Sequence, residues 1–292
     1  MSLPTLLPLL AAFIYASGVL VVKRAADLGV GVWRTAFVAN IAGAIVFQPL
    51  LLLGGTLHPE LWWQPPIVGL CFTVGQWFTF MAMDKGDVSV ATPVLGLKII
   101  FVAILVTIFG AQTLRPQLWI AAALATLGIA LLNRRGEHMA HHHVGRTILA
   151  AGLAAAAFAI FDMLVQLWSP TWGLGRFLPL SMAAAGLFSF AFVPRFRAPL
   201  SAIPSGAWGW LLGGTITMAL QSVMFVSTVA QWGNAPTANV IYSSRGLCSV
   251  LLVWLVGHWV KSREQHLGRT VFAWRLAGAT LMLGAIGLVT LK

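Results

Sequence analysis

Charge is what this 292-residue chain has least of: 9% of its residues are Asp, Glu, Lys or Arg, against 59% hydrophobic. A soluble domain carries about 25% charged residues, and so few charges cannot cover a water-facing surface of this size. Acid is scarcer than base, with seven acidic residues against eighteen basic ones and a formal net charge of +11. Cysteine is nearly missing as well. Cys71 and Cys248 each lie inside an apolar run, which excludes a disulfide framework and a thiolate zinc site. No GxxxxGK[ST] loop, no HExxH pair and no acid/base cluster stands in the apolar runs. These absences argue against ATP drive and against an enzyme, and no cofactor is expected.

What the chain has instead is a succession of apolar runs. Crossing a bilayer takes roughly 20 apolar residues as a helix. Runs of that kind cover Leu3–Val22, Thr35–Leu53, Pro66–Met83, Val88–Phe109 and Leu118–Leu132, then Thr147–Leu167, Phe177–Val193, Trp208–Ala230, Ala238–Val260 and Val271–Leu291. The expectation is an all-α membrane protein of about ten transmembrane helices, in the inner or plasma membrane of a prokaryote. Leu3–Val22 follows a charge-free start and has no small-residue cleavage site, so it reads as a retained span. Trp33, Trp62, Trp63, Trp172, Trp208, Trp210 and Trp274 fall at or near span ends, where an interfacial aromatic belt forms.

Nearly all the basic residues sit in the short connections, which favours membrane topology over nucleic-acid binding as their explanation. With ten spans, one side collects Lys23, Arg24, Arg34, Lys85, Arg134, Arg135, Arg146, Arg195, Arg197, Lys261, Arg263, Arg269 and Arg275. The other side collects only Arg115, Arg176 and Lys292. The positive-inside rule makes the richer side cytoplasmic and puts both termini opposite it. The longest charged linker, residues 133–146, holds His138, His141, His142 and His143. Such a cluster can bind metal, but no second ligand group accompanies it and the solvated connector is the better reading.

The chain also repeats itself. Gly86–Lys98 (GDVSVATPVLGLK) lies over Gly233–Arg245 (GNAPTANVIYSSR) without a gap, and both end on a base. Arg34 opening the second span matches Arg176 opening the seventh, and Leu127–Leu132 matches Ile286–Leu291. This divides the chain into a first five-span repeat (residues 1–135), a basic His-rich linker (136–146) and a second five-span repeat (147–292). Five is odd, so the repeats must be inverted, an architecture common among transporters.

On this layout, with a small polar turn opening the fourth and ninth spans and Gly-rich fifth and tenth spans, the chain resembles the ten-span EamA-like members of the drug/metabolite transporter superfamily. The resemblance covers essentially the whole length and implies a carrier of small molecules in a lipid bilayer, with no oligomer required. Many relatives place their termini in the cytoplasm, opposite to the charge count here.

Lys98 and Arg245 carry the most information, because they are the two bases that lie deep inside spans. A cation near the bilayer centre costs at least about 2.5–3.5 kcal/mol on insertion scales. Only one acid, Asp162, lies deep in an apolar run; it can neutralise one cation or carry a coupling proton, with pairing the stronger reading. One acid cannot balance two bases, so an anionic substrate bound by Lys98 and Arg245 supplies the missing charge. The resemblance extends to triose-phosphate translocators, which hold phosphate with basic residues on the fourth and ninth spans, and it implies an anion-binding role for this pair. Gln76, Gln221, Tyr242, Ser243, Ser244 and Tyr15 are expected around the same site. Trp77 and Trp232 read as packing or lipid contacts, and Pro93 and Pro236 as points of bending.

The leading expectation is therefore a secondary transporter of a phosphorylated or carboxylated metabolite working by alternating access. The alternatives are an amino-acid, drug or other metabolite exporter with structurally paired cations, a lipid head-group flippase, and, weakest, a membrane-embedded lipid-phosphate enzyme.

Overall fold

In lipid the backbone must satisfy its own hydrogen bonds, and the chain does so with helices. The computed structural model describes residues 2–85, 88–110, 113–132, 144–256 and 269–290. Twelve α-helices are described: α1 (Leu3–Asp27), α2 (Val32–Val46), α3 (Gln64–Lys85), α4 (Val88–Gly96), α5 (Lys98–Phe109), α6 (Pro116–Leu132), α7 (Val144–Trp172), α8 (Leu174–Phe188), α9 (Ser205–Trp232), α10 (Ala235–Tyr242), α11 (Arg245–Val256) and α12 (Arg269–Thr290). Among the described residues, eight helical stretches are long and apolar enough to cross a membrane, and Pro116–Leu132 is a shorter apolar helix. The α10–α11 pair occupies the place of the ninth expected span. Large apolar side chains remain exposed on the outer faces, among them Ile45, Ile108 and Leu187. Lipid is the solvent that suits such a surface.

Two expectations change in detail. The fourth and ninth spans, read as continuous helices, are each interrupted: at Leu97 between α4 and α5, and at Ser243–Ser244 between α10 and α11. The bends also do not sit at the prolines. Pro236 lies in the first turn of α10, where its missing N–H is not needed, and Pro93 lies inside α4. α7 starts at Val144, three residues ahead of the sixth apolar run. The His-rich segment lies outside the described residues, as do Asp87 and residues 257–268.

Turn chemistry recurs between the halves. Gly31 precedes α2 at φ 62°, ψ 145°, and Gly173 precedes α8 at φ 76°, ψ 146°. Only glycine enters that region without a Cβ penalty. The same turn thus opens the second and seventh spans, three residues before Arg34 and Arg176.

Helix packing is mostly between the halves. α1 packs on α9, α10 and α11; α7 packs on α3, α4 and α5; α2 packs on α9 and α3 on α8; α6 packs on α12. Exchanging the halves maps this set of contacts onto itself. Glycines set the closest approaches, as small residues do in membranes. A Cβ on Gly18 would lie 2.9 Å from Met218 Cγ, and one on Gly278 would lie 2.7 Å from the Gly128 carbonyl oxygen.

Connections far apart in sequence also meet. Arg34 donates to the Pro199 carbonyl at 3.3 Å, joining the α1–α2 and α8–α9 connections. On the opposite face the Thr56 N–H donates to the Trp172 carbonyl at 2.9 Å. There Trp172 is fully buried and its indole N–H donates to Gln64 at 2.9 Å. α7 is the central helix, with 61% of its apolar window buried, against 17% for α12.

Candidate functional site

The two helix interruptions place Lys98 as the first residue of α5 and Arg245 as the first residue of α11. Both face one cavity of about 290 Å3 at the middle of the helix bundle. Tyr15, Gln76, Asp162, Gln221 and Tyr242 line it too.

The two cations have different company. Lys98 Nζ lies 2.8 Å from Asp162 Oδ2 and near the rings of Phe225 (5.3 Å) and Phe158 (5.8 Å). Asp162 is almost wholly buried, and the same Oδ2 accepts from Asn239 Nδ2 at 2.6 Å. A buried carboxylate keeps its charge only when so partnered. The sequence left Asp162 between two cations; in the structure its partner is Lys98.

Arg245 has no carboxylate within 4 Å among the described residues. Its guanidinium lies between two aromatic rings, 4.9 Å from the Tyr15 centroid and 4.8 Å from the Tyr242 centroid. Cation–π contacts of this kind contribute about 0.5–2 kcal/mol. They hold the group without neutralising it.

The exchange of halves relates these environments. Lys98 on α5 reaches α7, and Arg245 on α11 reaches α1. Lys98 and Arg245 stand 147 residues apart in sequence, and so do Tyr15 and Asp162. Tyr15 therefore occupies, beside Arg245, the place that Asp162 takes beside Lys98.

The remaining polar groups are knitted together. Tyr242 donates its hydroxyl to Gln221 Oε1 at 2.8 Å, and Gln221 Nε2 donates to Ser222 Oγ at 2.7 Å. Tyr242 also stacks on Phe225 at 4.5 Å. Asn40 Nδ2 donates to Gln76 Oε1 at 2.7 Å, while the buried Asn40 Oδ1 has no partner. Both glutamines thus face the cavity and bridge side chains at once.

Ser243 and Ser244 need correction. They do not line the cavity. They form the interruption itself, with Ser243 Oγ donating back to the Val240 carbonyl at 2.6 Å and Ser244 Oγ buried without a partner. Trp77 packs on Trp33 at 5.1 Å, and Trp232 is exposed; neither lines the cavity. Sequence reasoning missed Asn40 and Asn239. An Asn in an apolar run is itself a signal, since an unsatisfied amide in lipid is costly, but no spacing tied either one to the cations.

Among the described residues no group of three or more His, Cys, Asp or Glu is placed to hold a metal ion. A solved crystal structure shares the fold over 99% of both chains, with a TM-score of 0.79 at 17% identity. No curated protein matches the sequence significantly. Residues 3–134 match the EamA-like transporter family. The first part of the chain is thus similar to EamA-like transporters, and the described residues fold as an all-α membrane protein around a polar central cavity.

Proposed function

We propose that the chain is a secondary transporter of a small organic anion, bound in the central cavity at Arg245. The observation that carries this reading is the charge arrangement. Arg245 faces the cavity with aromatic rings but no carboxylate beside it, and the one deep acid is taken by Lys98. A guanidinium kept at membrane depth is suited to gripping a planar carboxylate or a phosphate. The site resembles the midplane sites of inverted-repeat carriers, which also use interrupted helices. In this reading residues 1–135 and 147–292 are the two inverted repeats, and they rock about the cavity to expose it to each side in turn. The exchange-symmetric packing supports that motion, because each repeat offers the other an equivalent surface.

A second reading has support from the Lys98–Asp162 distance: an amino-acid or metabolite exporter in which that pair only holds helices together. The two readings part at Arg245. In proteoliposomes holding the purified protein, Arg245→Gln is expected to abolish uptake of small carboxylates or phosphates while the protein still elutes as a folded species. Unchanged uptake sinks the anion site and leaves the exporter.

A further inference from the structure

We infer that the cavity is matched to a monoanion with an apolar body, an organic monocarboxylate, and that the Lys98–Asp162 pair is what excludes dianions. This rests on the anion-site reading above and narrows it.

Among the residues lining the cavity, the groups that titrate are Tyr15, Lys98, Asp162, Tyr242 and Arg245. Lys98 and Asp162, at 2.8 Å, sum to zero wherever the proton between them resides. The Tyr242 hydroxyl is a donor to Gln221 and so carries its proton. Arg245 is left as one net positive charge. A monoanion brings the filled cavity to zero, whereas a phosphate monoester dianion leaves one negative charge beside the Asp162 carboxylate. In surroundings of low dielectric, such an uncompensated charge is strongly disfavoured. The rest of the wall suits an apolar body, because Phe47, Phe72, Phe80, Phe158, Phe161 and Phe225 all contribute to it. A volume of about 290 Å3 lies at the small end of ligand pockets.

The selectivity is therefore set by Asp162, a residue that need not touch the substrate. Asp162→Asn keeps the shape and an oxygen for the Asn239 amide, frees the charge of Lys98 and raises the cavity to two positive charges.

The test holds the body constant and varies the charge. The full-length protein in nanodiscs is titrated calorimetrically at pH 8 with benzoate, phenyl phosphate, phenylalanine and benzylamine. The wild type is expected to bind benzoate at least about tenfold more tightly than phenyl phosphate. Asp162→Asn is expected to shift that ratio at least about tenfold toward phenyl phosphate, and Arg245→Gln to lose both. A wild type that prefers phenyl phosphate, or an Asp162→Asn variant with an unchanged ratio, overturns the charge count and leaves the anion site standing. Benzoate binding that survives Arg245→Gln overturns the anion site, and so does a wild type that binds neither anion or prefers phenylalanine or benzylamine. The wild-type ratio is decisive even if a variant does not fold.

Discussion

Lys98 and Arg245 occupy the same register in the two halves, each opening a helix after an interruption, yet one is paired and the other is not. Lys98 meets Asp162 on α7 at 2.8 Å; Arg245 meets Tyr15 on α1 at 4.9 Å to the ring. The backbone repeat sets where a cation stands, and the facing helix decides what that cation does. A carboxylate makes it part of the scaffold. An aromatic ring holds it in place and leaves its charge available to a ligand.

Three substitutions break or sharpen this comparison. The largest effect is expected from Tyr15→Asp, which gives Arg245 the kind of partner that Lys98 has. With both cations neutralised the net charge of the cavity falls to zero. Benzoate binding is expected to drop below detection while the protein stays folded; calorimetric binding that persists would mean that the ring at position 15 is not what keeps Arg245 available. Next in size is Lys98→Met, which strands the Asp162 carboxylate. Losing one partner of a buried pair costs about 3–5 kcal/mol, so the melting temperature in detergent falls. The second change Asp162→Asn is expected to restore most of the loss, and an absence of rescue would show that the pair is not coupled. The smallest effect is expected from Tyr242→Phe, which removes the donor to Gln221 but keeps the ring beside Arg245. The loss of about 0.5–1.5 kcal/mol for one such bond appears as a small shift in melting temperature, with the benzoate-to-phenyl-phosphate preference unmoved. A changed preference would bring the hydroxyl into the recognition of charge.

Much of this was legible in the chain. Apolar length located the helices, because lipid imposes one rule on every span. The third span was expected at Pro66–Met83 and α3 covers Gln64–Lys85. The gapless match of Gly86–Lys98 with Gly233–Arg245 put the two cations at one register, and the structure brings both to one cavity. What sequence could not decide was direction. Asp162 had two cations to choose from, and only the packing of α7 on α5 selects Lys98. Ser243 and Ser244 stand next to Arg245, but Ser243 turns back onto its own helix and Ser244 is buried away from the cavity, which adjacency in sequence does not reveal. The prolines offered as points of bending, Pro93 and Pro236, lie within α4 and in the first turn of α10, while the interruptions fall at Leu97 and Ser243–Ser244.

The interleaving of the halves also governs how the protein is made. Synthesis delivers α1 and α6 long before α9 and α12, so Gly18 and Gly128 enter the bilayer with no partner for their close contacts. Lys98 is inserted 64 residues ahead of Asp162. A nascent first half therefore carries a bare cation in lipid until α7 follows. The counter-ion that fixes the charge of the finished cavity is thus also the residue that ends this exposure during biogenesis.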